Sequence, residues 1–140
     1  MPRMIFVSLP VADLARARAF YEAVGFTNDP RFTDQTAAGM VWSDEIVVML
    51  LTREKWAEFS DRPIPDRGSS EVALGLSVDS REAVDAFAEA AGANGGTIDV
   101  NPVQDHGFMY GRDVLDPDGH IWGPMWMDPA VASGEAPAPA

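Results

Sequence analysis

The segment IFVSLPVADLARARAFYEAVGF at residues 5–26 recurs, with changes, as VALGLSVDSREAVDAFAEAAGA at residues 72–93. At a constant offset of 67 residues the two copies share seven identical positions, whereas unrelated segments share roughly one or two. Two copies are too few for a solenoid. The repeat therefore predicts one domain of two similar halves, with a cleft between them in which a small molecule can bind.

The first copy carries the sequence signals of a strand followed by a helix. Residues 4–11 favour a strand, and Asp13 is suited to cap the next helix because its carboxylate accepts from the free amides of the first turn. Apolar residues then recur at helical spacing, and Gly25 is a typical helix end. The predicted buried face of the helix comprises Leu14, Ala17, Phe20, Tyr21 and Val24.

The second copy has the same order of signals. A strand at 71–78 precedes a cap at Ser80, and the following helix buries an apolar face and ends at Gly92. That face comprises Val84, Phe87 and Ala91. Further strands are predicted at 36–43, 45–52, 97–101, 107–115 and 120–127, with a tight turn at the DPDG sequence of residues 116–119. The second half therefore reads β-α-β-β-β, and its similarity to the first half predicts the same order there.

These signals define the domain boundaries. We predict a single domain over residues 1–128, with a first module at about 4–56 and a second at about 71–127. The front of the segment 53–70 could form a short helix around Trp56 and Phe59, and the linker at about 57–70 ends with the Pro, Asp, Gly and Ser content of a loop. The Ala/Pro-rich tail at 129–140 is predicted to be disordered.

Composition excludes several classes of function. The chain has 10 basic and 22 acidic residues and a net charge of −12, so it lacks the basic footprint of a nucleic-acid-binding protein. It has no cysteine, which excludes disulfides and thiolate chemistry. No apolar run is long enough to cross a bilayer, and the amino terminus does not read as a secretory signal. We therefore expect a cytoplasmic protein with no nucleic-acid or membrane partner.

Two motifs carry a family resemblance. The sequence PVADLARARAFYEAVGF at 10–26, with DPDGH at 116–120, resembles the vicinal oxygen chelate superfamily, which includes glyoxalase I, bleomycin-resistance proteins and extradiol dioxygenases. The resemblance covers residues 5–127. It implies an α+β fold of two tandem βαβββ modules, whose curved mixed sheets enclose a U-shaped cleft. It also implies that many members chelate a divalent metal there, and that the protein forms a homodimer.

The resemblance places the metal ligands of relatives at Phe6, Met49, Ala73 and Gly123 of this chain. Relatives use His, Glu or Gln at these positions. Divalent metals need oxygen or imidazole donors, which these four residues do not supply. A shift of one residue in register offers only further apolar residues and Pro124. We therefore predict a degenerate metal site and no cofactor.

Alternation along the strands predicts which residues face the cleft. In strand 71–78 the large residues should face the helices, and the small residues Ala73, Gly75 and Ser77 should face the cleft. The predicted ligand cleft comprises Phe6, Ser8, Met49, Ala73, Gly75, Gly123 and Met125. Met40, Trp42 and Met109 fall on strands that could also line it, or that could serve a core or a dimer interface. Pro124 removes a ladder donor inside a strand, which implies a bulge or an edge.

The catalytic residues are unknown from the sequence, and the candidates are His106, Tyr110 and Arg112. His106 could act as a general base at the cleft mouth, or it could be an ordinary loop residue. Tyr110 and Arg112 share one face of a strand. They could hold a carboxylate or phosphate in the cleft, or they could form a cross-strand pair on a solvated face.

Three functions remain open at this point. The first is binding of a small apolar or aromatic molecule without a metal, similar in kind to bleomycin-resistance proteins. The second is a glyoxalase- or lyase-type enzyme, which would act through a relocated metal site or through acid–base chemistry from His106, Tyr110 and glutamates. The third is an interaction module without a ligand.

Overall fold

A computed structural model describes residues 2–137 of the chain. Strands and helices alternate in two similar series, as the repeat predicts. The first module contains β1 (Ile5–Val11), α1 (Leu14–Val24), β2 (Thr27–Asp29), β3 (Ala37–Ser43), β4 (Ile46–Thr52) and α2 (Arg53–Phe59). The second contains β5 (Ala73–Ser77), α3 (Arg81–Ala93), β6 (Thr97–Ile98), β7 (Gln104–Asp105), β8 (Met109–Gly111), β9 (Val114–Leu115) and β10 (Ile121–Met127). The last helix, α4, spans Pro129–Ala132.

Each module forms one mixed sheet. In the first module the strand order is β1-β4-β3-β2, with β1 parallel to β4 and the other pairs antiparallel. In the second module β5 is parallel to β10, and β10 pairs antiparallel with both β8 and β9. The short strands β7 and β6 extend the sheet beyond β8 and β9. The two sheets have the same topology, which confirms the predicted α+β fold of paired βαβββ modules.

Local capping explains where the long helices begin. The Asp13 carboxylate accepts from the Arg16 amide at 3.1 Å, and the Ser80 hydroxyl accepts from the Ala83 amide at 3.0 Å. Gly25 ends α1 with a φ of 122°, a conformation that favours glycine. These three predictions are confirmed.

The predicted end of the second helix at Gly92 is wrong. Helix α3 continues through Ala93, and Asn94 caps it. Gly92 serves packing instead, because a Cβ at this position would lie 2.5 Å from Cδ1 of Ile98 on β6. The positive φ of 92° that follows the helix belongs to Gly95.

One apolar core joins both modules. The helix-facing residues of the sheets alternate along their strands, and they pack with the buried faces of α1 and α3. Met40 is fully buried in this core and Trp42 packs against it, so neither residue lines a cleft. The main core residues are Leu9, Val11, Ala17, Phe20, Tyr21, Val24, Phe26, Val48, Leu50, Leu76, Phe87, Val114 and Trp122.

Pro124 has a visible effect on the second sheet. The antiparallel ladder along β10 is interrupted between β8 and β9, opposite Gly123 and Pro124. The Pro124 carbonyl still accepts from the Arg112 amide at 3.3 Å. Proline has no backbone N–H, so it cannot donate the second hydrogen bond of the ladder to the Arg112 carbonyl. The predicted strand at 107–115 is therefore split in two, in place of the bulge or sheet edge that the sequence suggested.

The tail differs in part from the prediction. Residues Pro129–Ala132 form α4, which Asp128 caps by accepting from the Ala130 amide. Residues 138–140 of the predicted disordered tail lie outside the described residues. Between residues 2 and 137, every helix is too short or too polar to cross a membrane.

Candidate functional site

The register of the two sheets makes their open faces, which lie opposite the helices, directly comparable. Ser8 lies opposite Met49 in the first module, and Gly75 lies opposite Gly123 in the second. The offset of 67 residues relates Ser8 to Gly75. Met49 and Gly123 are therefore equivalent positions on the two open faces, as the family resemblance implied.

The first module has an apolar cavity between its open face and α2. Its volume is about 360 Å³, within the range of small-molecule sites. Met49 and Leu51 of β4 line it on the sheet side, and Trp56 and Phe59 of α2 line it on the helix side. Among the described residues that line it, Ser8 and Ser60 are the polar ones. We call it the first cavity.

The second module has a smaller cavity of about 250 Å³ on its open face, which we call the second cavity. The predicted residues Ala73, Gly75, Gly123 and Met125 line it, and so do Gln104, Met109 and Asp113. Gly123 does not supply free space, because a Cβ built there would lie 2.8 Å from Oδ1 of Asp113. Sequence reasoning missed Asp113, although pairing about the 116–119 turn would have set it opposite Gly123.

The predicted cleft residues thus divide between two cavities. Ser8 and Met49 line the first cavity, whereas the predicted residues of β5 and β10 line the second. Phe6 lies outside both linings, and 62% of its surface is exposed. Met4, Ile5 and Val72, at or just before the starts of β1 and β5, are large apolar residues that are exposed as well.

The predicted catalytic candidates do not come together at either cavity, and of the three only Arg112 borders one, the second. Tyr110 Oη donates to Asp85 on α3 at 2.6 Å, and the Arg112 guanidinium bonds the same carboxylate at 2.9 Å. The two side chains share a face, as predicted, but it is the helix side. The Asp85 carboxylate raises the pKa of Tyr110 above its usual value, which disfavours the phenol as an acid or base at neutral pH. His106 is an exposed loop residue.

The positions inferred for metal ligands carry no donor side chains in the structure. Across residues 2–137, no group of three or more His, Cys, Asp or Glu side chains is arranged to hold a metal ion. Phe6, Met49, Ala73 and Gly123 offer aromatic, thioether, methyl and hydrogen groups. The residues present therefore do not fit the divalent metal that many relatives use.

The two family-like motifs meet in the core. Tyr21 of α1 donates to Oδ2 of Asp116 in the DPDG turn at 2.6 Å, and it accepts from Nε1 of Trp122 at 2.8 Å. Oδ1 of Asp116 accepts from the amides of Asp118 and His120. Burial raises the pKa values of Tyr21 and Asp116. These bonds fasten the first module to the turn of the second, so Tyr21 and Asp116 hold the fold rather than line a cavity.

A third cavity of about 340 Å³ lies at the seam between the modules. It contains Ser8, Trp56, Asp118 and His120, and the His120 ring contacts the Pro10 carbonyl at 2.9 Å. Trp56 Nε1 and Asp118 Oδ2 are buried without a hydrogen-bond partner among the described residues. Three arginines and three acids line this cavity, so its lining shows no preference for one sign of charge.

Comparison with known proteins identifies the family. The family model described as the Glyoxalase/Bleomycin resistance protein/Dioxygenase superfamily matches residues 3–123, and the chain belongs to this superfamily. No curated protein matches the sequence. The fold is shared with a hypothetical protein, SA1046, from Staphylococcus aureus at 25% identity and a TM-score of 0.75, over 90% of this chain and 94% of that chain.

Other solved structures show the same fold at lower identity. A glyoxalase/bleomycin resistance protein/dioxygenase family enzyme from Burkholderia phytofirmans is 21% identical, with a TM-score of 0.73 over 90% of this chain and 99% of that chain. The fosfomycin resistance protein FosX from Mesorhizobium loti is 18% identical, with a TM-score of 0.66 over 97% of this chain and 99% of that chain. At these identities the likeness establishes the fold alone.

Proposed function

We propose that this protein binds a small apolar or aromatic molecule in the first cavity, without a metal ion. The observation that carries the proposal is the lining of that cavity. Met49, Leu51, Trp56 and Phe59 present thioether, aliphatic and aromatic surfaces, with two serines at the edge. Methionine adapts its shape to varied ligands, and aromatic rings gain from edge and face contacts with a ligand ring.

The enzyme alternatives have less support. The relocated metal site lacks a donor cluster among residues 2–137. The acid–base alternative lacks a converging pair, since Tyr110 and Arg112 bond Asp85 and His106 is exposed. A binding function needs only the apolar cavity.

Filling the cavity tests the proposal. Ser8 is an exposed residue on the open face of β1 and lines the first cavity, so Ser8→Leu should occupy it without disturbing the core. Ser77→Leu is the matched control, because Ser77 is also exposed on its strand and lies outside the first cavity. The ligand probe is N-phenyl-1-naphthylamine, a neutral dye that becomes fluorescent in apolar sites.

The parent chain should bind the dye saturably at one site per chain, with the same affinity before and after EDTA treatment. Ser8→Leu should abolish the signal and Ser77→Leu should keep it. Binding that needs added Zn²⁺, Ni²⁺ or Mn²⁺ would contradict the proposal. So would equal binding by the two variants, or a parent chain without a saturable signal.

A further inference from the structure

The second cavity carries a carboxylate where the first carries a thioether. In the first module Met49 lies opposite Gly39, and a Cβ on Gly39 would lie 3.6 Å from its sulfur. In the second module the ladder places Asp113 opposite Gly123, and Asp113 Oδ1 lies over that glycine. In the first module the large side chain is on the last strand, β4, and the glycine is on its neighbour β3. In the second module the glycine is on the last strand, β10, and the large side chain is on the segment opposite it. The large residue is apolar in the first module and anionic in the second.

The carboxylate of Asp113 is not neutralised within the protein. Its Oδ2 accepts from Asn101 Nδ2 at 2.9 Å, whereas its Oδ1 has no hydrogen-bond partner among residues 2–137. Asp113 Oδ1 keeps contact with solvent, since within that range the buried polar side-chain atoms without a partner are Trp56 Nε1 and Asp118 Oδ2. The neighbouring Arg112 also borders the cavity, but its guanidinium is committed to Asp85 and Asp99 at 2.9–3.0 Å.

We infer that the second cavity is a separate binding site for a protonated amine on an apolar body. The ammonium group donates to Asp113 Oδ1, and the carboxylate and the net charge of −12 disfavour anionic ligands. Met109 and Met125 also line the second cavity and contact the apolar part of the ligand. The inference goes beyond the proposed function, because it concerns different residues and holds whether or not the first cavity is used.

Three probes of similar shape test this inference on the full chain: benzylamine, benzyl alcohol and benzoate. Amide resonances of Gly75, Gly111 and Gly123 in ¹⁵N NMR spectra report on the second cavity, because all three residues line it. Asp113→Asn removes the charge and keeps the shape. Asp44→Asn, in the exposed turn between β3 and β4, changes the net charge equally and is the control.

Benzylamine should shift these three resonances with a Kd at least about tenfold below that of benzyl alcohol, the effect of one hydrogen bond to a charged group. Benzoate should bind more weakly than the alcohol. Asp113→Asn should remove the advantage of the amine, and Asp44→Asn should keep it within about twofold.

Equal affinity of the parent chain for amine and alcohol would overturn the inference. Shifts confined to other residues would also overturn it, and so would an amine advantage that survives Asp113→Asn. The comparison of the three probes on the parent chain needs no variant, so the test holds even if Asp113→Asn weakens folding. Dye binding in the first cavity is measured separately, so the two proposals can fail independently.

Discussion

Replacing Tyr21 by phenylalanine tests the bond that joins the two modules. The hydroxyl of Tyr21 is the partner of both Asp116 Oδ2 and Trp122 Nε1, and all three side chains are at least 98% buried. Tyr21→Phe removes one oxygen atom and leaves a carboxylate oxygen and an indole N–H unpaired in the core. The ring contacts of the aromatic cluster remain.

The expected loss of stability follows from these two bonds. A hydrogen bond to a charged group contributes about 1.5–3 kcal/mol, and a buried unpaired donor costs about 1–3 kcal/mol. Tyr21→Phe should therefore lower the free energy of unfolding by about 3–5 kcal/mol, which corresponds to a fall of about 10 °C or more in Tm. Tyr110→Phe is the matched control, since Tyr110 is half-buried and Arg112 still bonds Asp85. Its expected cost is about 0.5–1.5 kcal/mol.

The loss should depend on pH in a defined direction. Burial raises the pKa of Asp116 above 3.8, and the Tyr21 bond lowers it in part. A carboxyl whose pKa is raised in the folded state stabilises the protein at pH values below its pKa in the unfolded state. That contribution is lost as the pH rises through its pKa in the folded state. Tyr21→Phe raises this pKa further, so its penalty should shrink as the pH falls from 7 towards 4. Tyr110 lowers the pKa of Asp85 below 3.8, so the Tyr110→Phe penalty should stay constant over that range.

The assay is urea unfolding followed by tryptophan fluorescence at pH 7 and at lower values. The reasoning would be refuted if Tyr21→Phe lowered the free energy of unfolding by less than about 1 kcal/mol, or by the same amount as Tyr110→Phe. A penalty that grew on acidification would refute the assigned direction of the Asp116 pKa.

Three further predictions concern packing, assembly and metal. Gly123→Ala should lower the free energy of unfolding in urea by about 1–3 kcal/mol, because the new Cβ meets the Asp113 carboxylate. Gly75→Ala should be neutral or slightly stabilising, since its Cβ would lie 3.8 Å from the nearest neighbouring atom. Equal effects of the two substitutions would contradict the position of Asp113 over Gly123. Light scattering should give twice the 15.1 kDa chain mass for the parent protein. Phe6→Lys should give a monomer, whereas the control Phe32→Lys, at another exposed phenylalanine, should remain a dimer. A monomeric parent at tens of micromolar would exclude the dimer. Calorimetry with Zn²⁺, Ni²⁺ and Mn²⁺ should find no stoichiometric site with a Kd below about a micromolar, which corresponds to a binding free energy of about 8 kcal/mol. One such site per chain would contradict a metal-free cavity.

Local signals predicted much of the fold. Asp13, Ser80 and Gly25 act within their own turns, so sequence alone identified them. Gly92 was misread because its reason is tertiary: Ile98, six residues later, packs against it. A glycine required by packing has the same appearance in a sequence as a glycine required by a helix end.

The candidate site was predictable only in part. Alternation showed that Tyr110 and Arg112 share a face, but the choice of face depends on Asp85, which lies on a helix distant in sequence. The open-face positions of Met49 and Gly123 followed from the family resemblance. The contribution of α2 to the first cavity and the carboxylate of Asp113 over Gly123 depend on how elements pack, which no local pattern encodes.

Methionine methyl NMR tests the central claim most directly. Met49 lines the first cavity, Met40 is buried in the core, and Met109 and Met125 line the second cavity. Titration of EDTA-treated protein with N-phenyl-1-naphthylamine should shift the Met49 methyl resonance and leave Met40, Met109 and Met125 in place. A Met49 resonance that stays fixed, or that moves only after a divalent metal is added, would contradict metal-free binding in the first cavity.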